Sequence, residues 1–598
     1  MGLINDLNIC IATANGTGSA SANNLLFKSI FKMGIPCSSK NMFPSNIQGL
    51  PTWYQVRANA RGFGARKDVI DVMVVFNETT VADDIHKVRP GGIIIFDSSE
   101  SIDEALILDG VTYFGVPANN LVKDKVKTGP LRIKQRNMVY VGALAALFGI
   151  EMQVIEEVLS DTFGSKPEVI ESNYSCIEAG FQYVKEQEYS HDIGGLEPIP
   201  DGNKNKIITE GNTASALGAI FGGVTVVSWY PITPSTSLAD ALESYLPKLR
   251  LDAKGKPTFA VIQAEDEIAA AGMVVGAGWA GVRAMTTTSG PGLSLMNEMI
   301  GLSYFGEVPT VFMIVQRGGP STGLPTRTQQ ADILSMYHCS HGDTKHPVLI
   351  PHDMRSCFEL SQISFNLAEQ LQGPVFVATD LDLGMNLWSS PPLEVSSQPI
   401  HRGKILSSED LIRKNGEFLR FADEDGDGIA SRTIPGNACD QAGYFTSGAL
   451  QDKAGRRSED NKVYRETLDR LRNKLETARK LVPKPSIEME PGAKIGIISF
   501  GSSYEATREA RERLHQSGLP TNHLLLRALP LAEAVGEFIK SNDVIYLVEQ
   551  NRDGQVLSII RDEYPEICTR VRSVRIYDGL PVCAGEIVAI INKLQGLN

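Results

Sequence analysis

Trp229-Tyr230-Pro231-Ile232-Thr233-Pro234-Ser235-Thr236 closes an apolar run, Thr225 to Tyr230, with a turn stiffened by proline and rich in hydroxyls. The run reads as a strand and the turn as its carboxyl end, the place where open α/β sheets bind ligands. Thr233 stands between two prolines, so its hydroxyl is held in place and can donate to a substrate carboxylate. A second role is open to the same residues. Thr233 or Ser235 can cap a helix predicted over Leu238 to Tyr245.

Downstream, Gln263-Ala264-Glu265-Asp266-Glu267 ends another strand-like run, Thr258 to Gln263, and opens a helix of small and apolar residues from Glu267 to Gly276. A carboxyl in apolar surroundings has a raised pKa and can share a proton with a ring nitrogen of a bound cofactor. The alternative is that these acids only complement the helix dipole. A third run, Arg283 to Thr288, enters Ser289-Gly290-Pro291-Gly292, and a fourth, Val308 to Val315, leads to Arg317 and the glycine-rich Gly318–Arg327. Arginine clamps a carboxylate in bidentate fashion, and glycine lets backbone approach a ligand. A surface ion pair is the alternative for Arg317 and Arg327 alike.

Outward from this centre the chain divides into units. The strand–loop–helix rhythm of Leu7 to Ala14, Val69 to Phe76 and Gly91 to Phe96 predicts a parallel α/β sheet over 1–187. Residues 188–206, with Pro198, Pro200 and a run of Asn and Lys, read as a linker. The central α/β unit spans 207–400. Residues 401–489, acidic from Asp423 to Asp427 and charged from Asp460 to Lys480, read as a connecting excursion. A compact α/β unit follows over 490–598. The fold class is multi-domain α/β.

Composition narrows the function. A net charge of -13 over 598 residues, with no basic run, excludes a nucleic-acid footprint. The eight cysteines include no CxxC pair, so neither an iron–sulfur nor a zinc spacing is present and no metal site is assigned to this chain. Scattered thiols fit a reducing cytoplasm. The start lacks a basic region followed by a long apolar one, so no signal peptide is expected, and Val139 to Ile150 is too short to span a bilayer.

Two further motifs are weak. Gly16-Thr17-Gly18 after the first strand can cradle a phosphate, but Ser21 stands where a dinucleotide fingerprint needs glycine, and tight turn geometry explains it as well. Asp423-Glu424-Asp425-Gly426-Asp427-Gly428 has neither the later Asn of a thiamine metal motif nor the terminal Glu of an EF-hand, so it reads as a polar turn.

Taken together, Tyr230–Thr236, Gln263–Glu267, Thr288–Gly292, Gly319–Thr326, Lys40–Tyr54 and Val548–Gln555 resemble the alpha subunit of 2-oxoacid:ferredoxin oxidoreductases, in the form whose gamma domain is fused at the N-terminus. The 2-oxoglutarate group is the nearest in pattern. The resemblance implies a gamma-type domain, a thiamine-diphosphate pyrimidine-binding-type domain and a transketolase C-terminal-like domain. It implies that Glu267 activates the cofactor, that Thr233 and Arg317 bind the 2-oxoacid carboxylate, and that Arg327 reaches a distal carboxylate. Tyr230, Pro231 and Ile232 would lie against the cofactor. Gly16, Thr17 and Gly18 would contact coenzyme A, although they depart from the family's GGQG pattern. Mg2+ and a [4Fe–4S] cluster would belong to a beta subunit, and ferredoxin would take the electrons, in a dimer of alpha–beta pairs. Branched-chain 2-oxoacids, a non-redox thiamine enzyme and a non-catalytic scaffold subunit are the competing readings.

Overall fold

The computed structural model describes residues 3–43, 49–99, 102–123, 125–126, 128–396, 399–415 and 417–597. Residues 44–48 of the Lys40–Tyr54 motif therefore lie outside the described residues. Within the described residues the strands assemble into three sheets of eight, seven and five strands.

The first sheet runs Thr112–Val116, Val88–Asp97, Ile70–Val75, Asp6–Ala14, Pro51–Asn59, Cys37–Met42, Trp388–Ser390, Ile207–Thr209. Its first four strands are parallel, as the apolar runs predict. The rest of the sheet corrects the all-parallel expectation, because Pro51–Asn59 and Cys37–Met42 join antiparallel. Cys37-Ser-Ser-Lys-Asn-Met42 gives no apolar signal; its polar side chains are buried by neighbours that sequence does not show. Behind the sheet, helices Gly129–Phe148 and Pro167–Glu186 touch backbone to backbone. A Cβ on Gly142 would lie 1.8 Å from the Ile177 carbonyl oxygen, which glycine alone avoids.

Two strands of this first sheet come from the central stretch of chain. Ile207–Thr209 and Trp388–Ser390 cover the edge of Cys37–Met42 and satisfy backbone groups that would otherwise stay open. The sequence division at 207 and 400 therefore differs from the sheet division. Residues 188–206 hold no helix or strand, yet they are fastened down, with Asn203 Nδ2 donating to the carbonyls of Phe31 and Ile35, both at 2.9 Å.

The second sheet runs Ala528–Leu529, Val348–Leu349, Pro374–Asp380, Thr310–Gln316, Ala284–Thr288, Val226–Trp229, Ala260–Gln263. All its pairs are parallel except the first. The third runs Ser486–Glu488, Thr521–Leu526, Ile495–Phe500, Val544–Glu549, Val571–Arg575. Its edge strand Ser486–Glu488 falls inside the stretch read from sequence as excursion, because three exposed residues carry no burial pattern. The rest of that excursion packs on the central unit through helix Asn461–Leu481. Arg470 and Lys474 from this helix pair with the fully buried Glu307. Burial alone would raise the Glu307 carboxyl, but the two cations outweigh it and hold it well below the usual carboxylate range. The Asp423 carboxylate accepts from the amides of Gly426 and Gly428 at 2.9 and 2.8 Å, the geometry of a polar turn. Among the described residues, no helix is long and apolar enough to cross a membrane.

Buried charge pairs join the units. Lys40 Nζ meets Asp382 Oδ1 at 2.6 Å and lies 3.4 Å from the centre of the Trp388 ring. Arg57 donates twice to Glu509, at 2.7 and 3.0 Å, and docks the last unit on the first. Removing one partner leaves the other buried and incompletely paired. Arg57→Met is expected to lower stability by about 3–5 kcal/mol, read as a shift of the denaturation midpoint. Arg57→Met/Glu509→Leu should recover part of that loss.

Candidate active site

Three parallel strands, Val226–Trp229, Ala284–Thr288 and Thr310–Gln316, are neighbours in the second sheet and end at the same edge. Each is followed by one of the motifs read from sequence. The turn after Trp229 is internally bonded: Thr236 Oγ1 accepts from the Ile232 amide at 3.0 Å, and the Ser235 amide donates to the Ile232 carbonyl at 2.8 Å. Helix Thr236–Leu249 begins directly after it. Ser235 occupies the cap position without making a side-chain cap bond. The helix-cap alternative is met at Ser235 in position only, since its hydroxyl makes no bond to the helix start. Asn212 Nδ2 holds the same turn from behind, donating to the Pro234 carbonyl at 2.8 Å.

Arg317, at the end of Thr310–Gln316, is 8% exposed and donates from Nη1 to the Thr233 carbonyl at 2.6 Å. Its Nη2 reaches the Thr322 carbonyl at 3.4 Å. Among the described residues it pairs with no surface acid. Burial lowers its pKa and the Asp332 carboxylate opposes that shift. Thr233 and Arg317 are thus brought together across a sequence distance of 84 residues.

Glu267 opens helix Glu267–Trp279 and is 7% exposed. The acid that caps this helix is Asp266, whose side chain accepts from the Ala269 amide. Glu267 is left free of that task and faces the start of helix Gly290–Leu295. A Cβ on Gly292 would lie 2.0 Å from Thr288 Oγ1, 2.9 Å from Glu267 Cγ and 3.1 Å from its Oε1. Gly292 is small because this carboxyl needs the space.

Sequence reasoning missed Asp332, which crowds the same short helix from its other side. A Cβ on Gly290 would lie 2.8 Å from Asp332 Oδ2. Desolvation raises the Asp332 pKa to about 6, with Arg317 pulling it back down. Nothing in Gln329-Gln330-Ala331-Asp332 marks this acid in sequence, because its partner Arg317 is fixed only by the sheet. Asp332, Arg317, Gly290, Gln329 and Gly319 line a cavity of 540 Å³ closed by Asn551, Arg552 and Tyr577 from the last unit. The Val548–Gln555 motif therefore has a place at the cavity that its sequence alone does not reveal.

Arg327, Thr233, Glu267 and the glycine pair near the N-terminus are not among the lining residues of that cavity. Arg327 donates from Nη1 to the Phe43 carbonyl at 2.7 Å and so bonds to the first unit. Tyr230 and Ile232 are partly buried and Pro231 is exposed, on the turn beside Thr233. Gly16 and Gly18 both have φ of 82°, and Thr17 Oγ1 closes on the Ala14 carbonyl at 2.7 Å. Asn137 Nδ2 donates to the Thr17 carbonyl at 2.8 Å, which makes this a tight turn clamped by helix Gly129–Phe148.

Comparison with known proteins agrees with this architecture. Residues 217–406 match the family model described as pyruvate flavodoxin/ferredoxin oxidoreductase, thiamine diphosphate-binding, and residues 8–183 match pyruvate ferredoxin/flavodoxin oxidoreductase. The chain is 29% identical over 642 residues to 2-oxoacid:ferredoxin oxidoreductase 2, subunit alpha, of Aeropyrum pernix, covering 98% of both. It is 30% identical over 604 residues to 2-oxoacid:ferredoxin oxidoreductase 1, subunit alpha, of Sulfurisphaera tokodaii, covering 92% of both. The chain belongs to the alpha subunits of the 2-oxoacid:ferredoxin oxidoreductases. Among solved structures it is similar to 2-oxoglutarate:ferredoxin oxidoreductase from Magnetococcus marinus with 2-oxoglutarate, coenzyme A and succinyl-CoA bound, at a TM-score of 0.88 and 31% identity over 99% of this chain and 100% of that one. The multi-domain α/β class follows from that likeness.

The residues of this alpha subunit suit a bound cofactor at the strand edge. Thr286, Thr287, Thr288 and Ser289 all bury hydroxyls with no partner, as do Ser235 and the Trp229 indole nitrogen. Unpaired buried polar groups are costly, and the Thr288 hydroxyl, which crowds Gly292 together with Glu267, is left to find a partner in another molecule. Gly292→Ala should displace either Thr288 or Glu267 and cost about 1–3 kcal/mol as overpacking, measured by thermal unfolding.

Proposed function

We propose that this alpha subunit forms the pyrimidine-holding half of an active site for CoA-dependent oxidative decarboxylation of a 2-oxoacid, with 2-oxoglutarate as its substrate. The observation that carries this reading is Glu267, enclosed at a helix start against Gly292 and Thr288, with Arg317 fixed on the neighbouring strand end. Thiamine diphosphate supplies the carbanion chemistry that cleaves the bond to the carboxylate.

Each residue then has a task. With the cofactor bound, Glu267 would hold a proton at the N1′ nitrogen of the aminopyrimidine. Tyr230, Pro231 and Ile232 shape the wall beside that ring. Thr233 donates its hydroxyl to the substrate carboxylate, and Arg317 supplies the positive charge that orients it. Arg327, joined to the Gly318 strand end through its own carbonyl at 2.9 Å, takes the distal carboxylate of a dicarboxylic substrate. Gly16, Thr17 and Gly18 present backbone toward coenzyme A. A beta subunit carries the diphosphate end of the cofactor with Mg2+ and a [4Fe–4S] cluster, and delivers electrons to ferredoxin. The bound ligands named for the Magnetococcus marinus enzyme support the choice of substrate and of coenzyme A.

The test is anaerobic reduction of ferredoxin by this chain copurified with its beta subunit. Turnover with 2-oxoglutarate and coenzyme A, and little with pyruvate or 2-oxoisovalerate, is the expected result. Glu267→Gln should assemble and bind cofactor but lose about 10²–10⁴-fold in kcat. Arg327→Gln should raise KM for 2-oxoglutarate more than for a monocarboxylic 2-oxoacid. Full activity in Glu267→Gln would overturn the assignment of that residue.

A further inference from the structure

Asp332 reaches the cavity from the loop that follows Arg317, and it is fixed from behind. Its amide donates to Gln316 Oε1 at 3.0 Å, and Gln555 Nε2 holds the preceding Ala331 carbonyl at 2.6 Å. In front of it stands Gly290, whose missing side chain leaves room for the carboxyl and nothing more. Oδ2 is enclosed and has no hydrogen-bond partner. The guanidinium of Arg317 acts on it through space; its Nη1 and Nη2 donate to the carbonyls of Thr233 and Thr322, and its buried Nε–H has no partner.

The other charged and titratable groups around the cavity leave this relation intact. Arg552 and Asp553, from the last unit, pair with each other at 2.7 Å and are exposed. The Tyr577 side chain is also exposed. Glu267 lies beyond Gly292, on the far side of the Gly290–Leu295 helix. Arg317 is therefore the cation that balances Asp332. A substrate carboxylate that docks on Arg317 takes that balance away, because two carboxylates then share one buried guanidinium. Like charges in such a site do not both stay ionised, and one of them takes a proton. The substrate carboxylate is the stronger acid, being next to a carbonyl, so the proton goes to Asp332.

We propose that Asp332 couples substrate binding to proton uptake: seating a 2-oxoacid carboxylate at Arg317 draws one proton from solvent onto the Asp332 carboxyl. The proposal rests on the reading of Arg317 as the group that orients the 2-oxoacid carboxylate. Its sign is defined. With the carboxyl poised near about 6, the free protein at pH 7 and above carries Asp332 as an anion. Affinity for the anionic substrate therefore falls as pH rises through and beyond that value, and it is greatest on the acid side, where Asp332 is already neutral.

The experiment uses the assembled holoenzyme and N-oxalylglycine, an amide mimic of 2-oxoglutarate that cannot decarboxylate. Calorimetry at pH 7.5 in two buffers of different ionisation heat measures protons taken up, and a titration series gives affinity against pH. The expected result is uptake of about one proton per molecule bound and an affinity loss of roughly tenfold per pH unit above neutrality. Asp332→Asn should bind with no uptake and a flat profile. Absence of proton uptake in the unaltered holoenzyme, or an unchanged slope in Asp332→Asn, overturns the proposal while leaving the cavity as a binding site. No binding at any pH, with no inhibition of 2-oxoglutarate turnover, overturns the cavity reading and this proposal with it.

Discussion

The hydrogen bond from Arg317 to the Thr233 carbonyl depends on a constraint older than either residue: parallel strands end at one edge. Val226–Trp229 and Thr310–Gln316 flank Ala284–Thr288, so three loops distant in sequence leave the sheet side by side. The bond then removes Arg317 from solvent and fixes the backbone of the Pro231–Pro234 turn. Thr236, Asn212 and the backbone bond from Ser235 to Ile232 hold the same turn. Helix Gly290–Leu295, which follows the middle strand, lies between Glu267 and Asp332 and accommodates both through two glycines.

That edge is roofed by chain from elsewhere. The cavity needs Asn551, Arg552 and Tyr577, so the last unit has to sit in one orientation. Behind it, Gln330 and Ser502 both bond to the buried Asp380, and Gln550 Nε2 bonds to Ser502 at 2.7 Å. Burial raises the Asp380 carboxyl, with Asp382 adding to the effect. Such networks contribute little to net stability against an apolar core, but breaking one member is costly. Their value here is register. They tie the second and third sheets to each other, while Lys40–Asp382 and Arg57–Glu509 tie the first sheet to both.

The strand edge also departs from ordinary packing. A globular core leaves few buried hydroxyls unpaired, yet Thr286, Thr287 and Thr288 bury theirs in a strand whose every residue is enclosed, and Ser289 adds another at the start of the next helix. Local rules are broken most often at functional sites, and here Thr288 crowds Gly292 together with Glu267.

The sequence by itself determined the α/β class and the strands that lead to the candidate site, and it singled out Thr233, Glu267 and Arg317 as candidates. Each of these follows from a short-range signal: an apolar run, a proline-bound turn, a helix of small residues. It also carried the family pattern, which long motifs in a fixed order make specific. Only the tertiary structure decided which acid caps the helix and which is free, because Asp266 and Glu267 are adjacent and differ only in the direction the helix start imposes. Likewise it alone placed Asp332 against Arg317, turned Cys37–Met42 and Pro51–Asn59 antiparallel, and lent Ile207–Thr209 and Trp388–Ser390 to the first sheet. Apart from the Asp266 cap, a bond spanning three residues, these are matters of contact between separate segments. Burial, field and edge pairing come from neighbours tens to hundreds of residues away, and no local pattern in the chain encodes them.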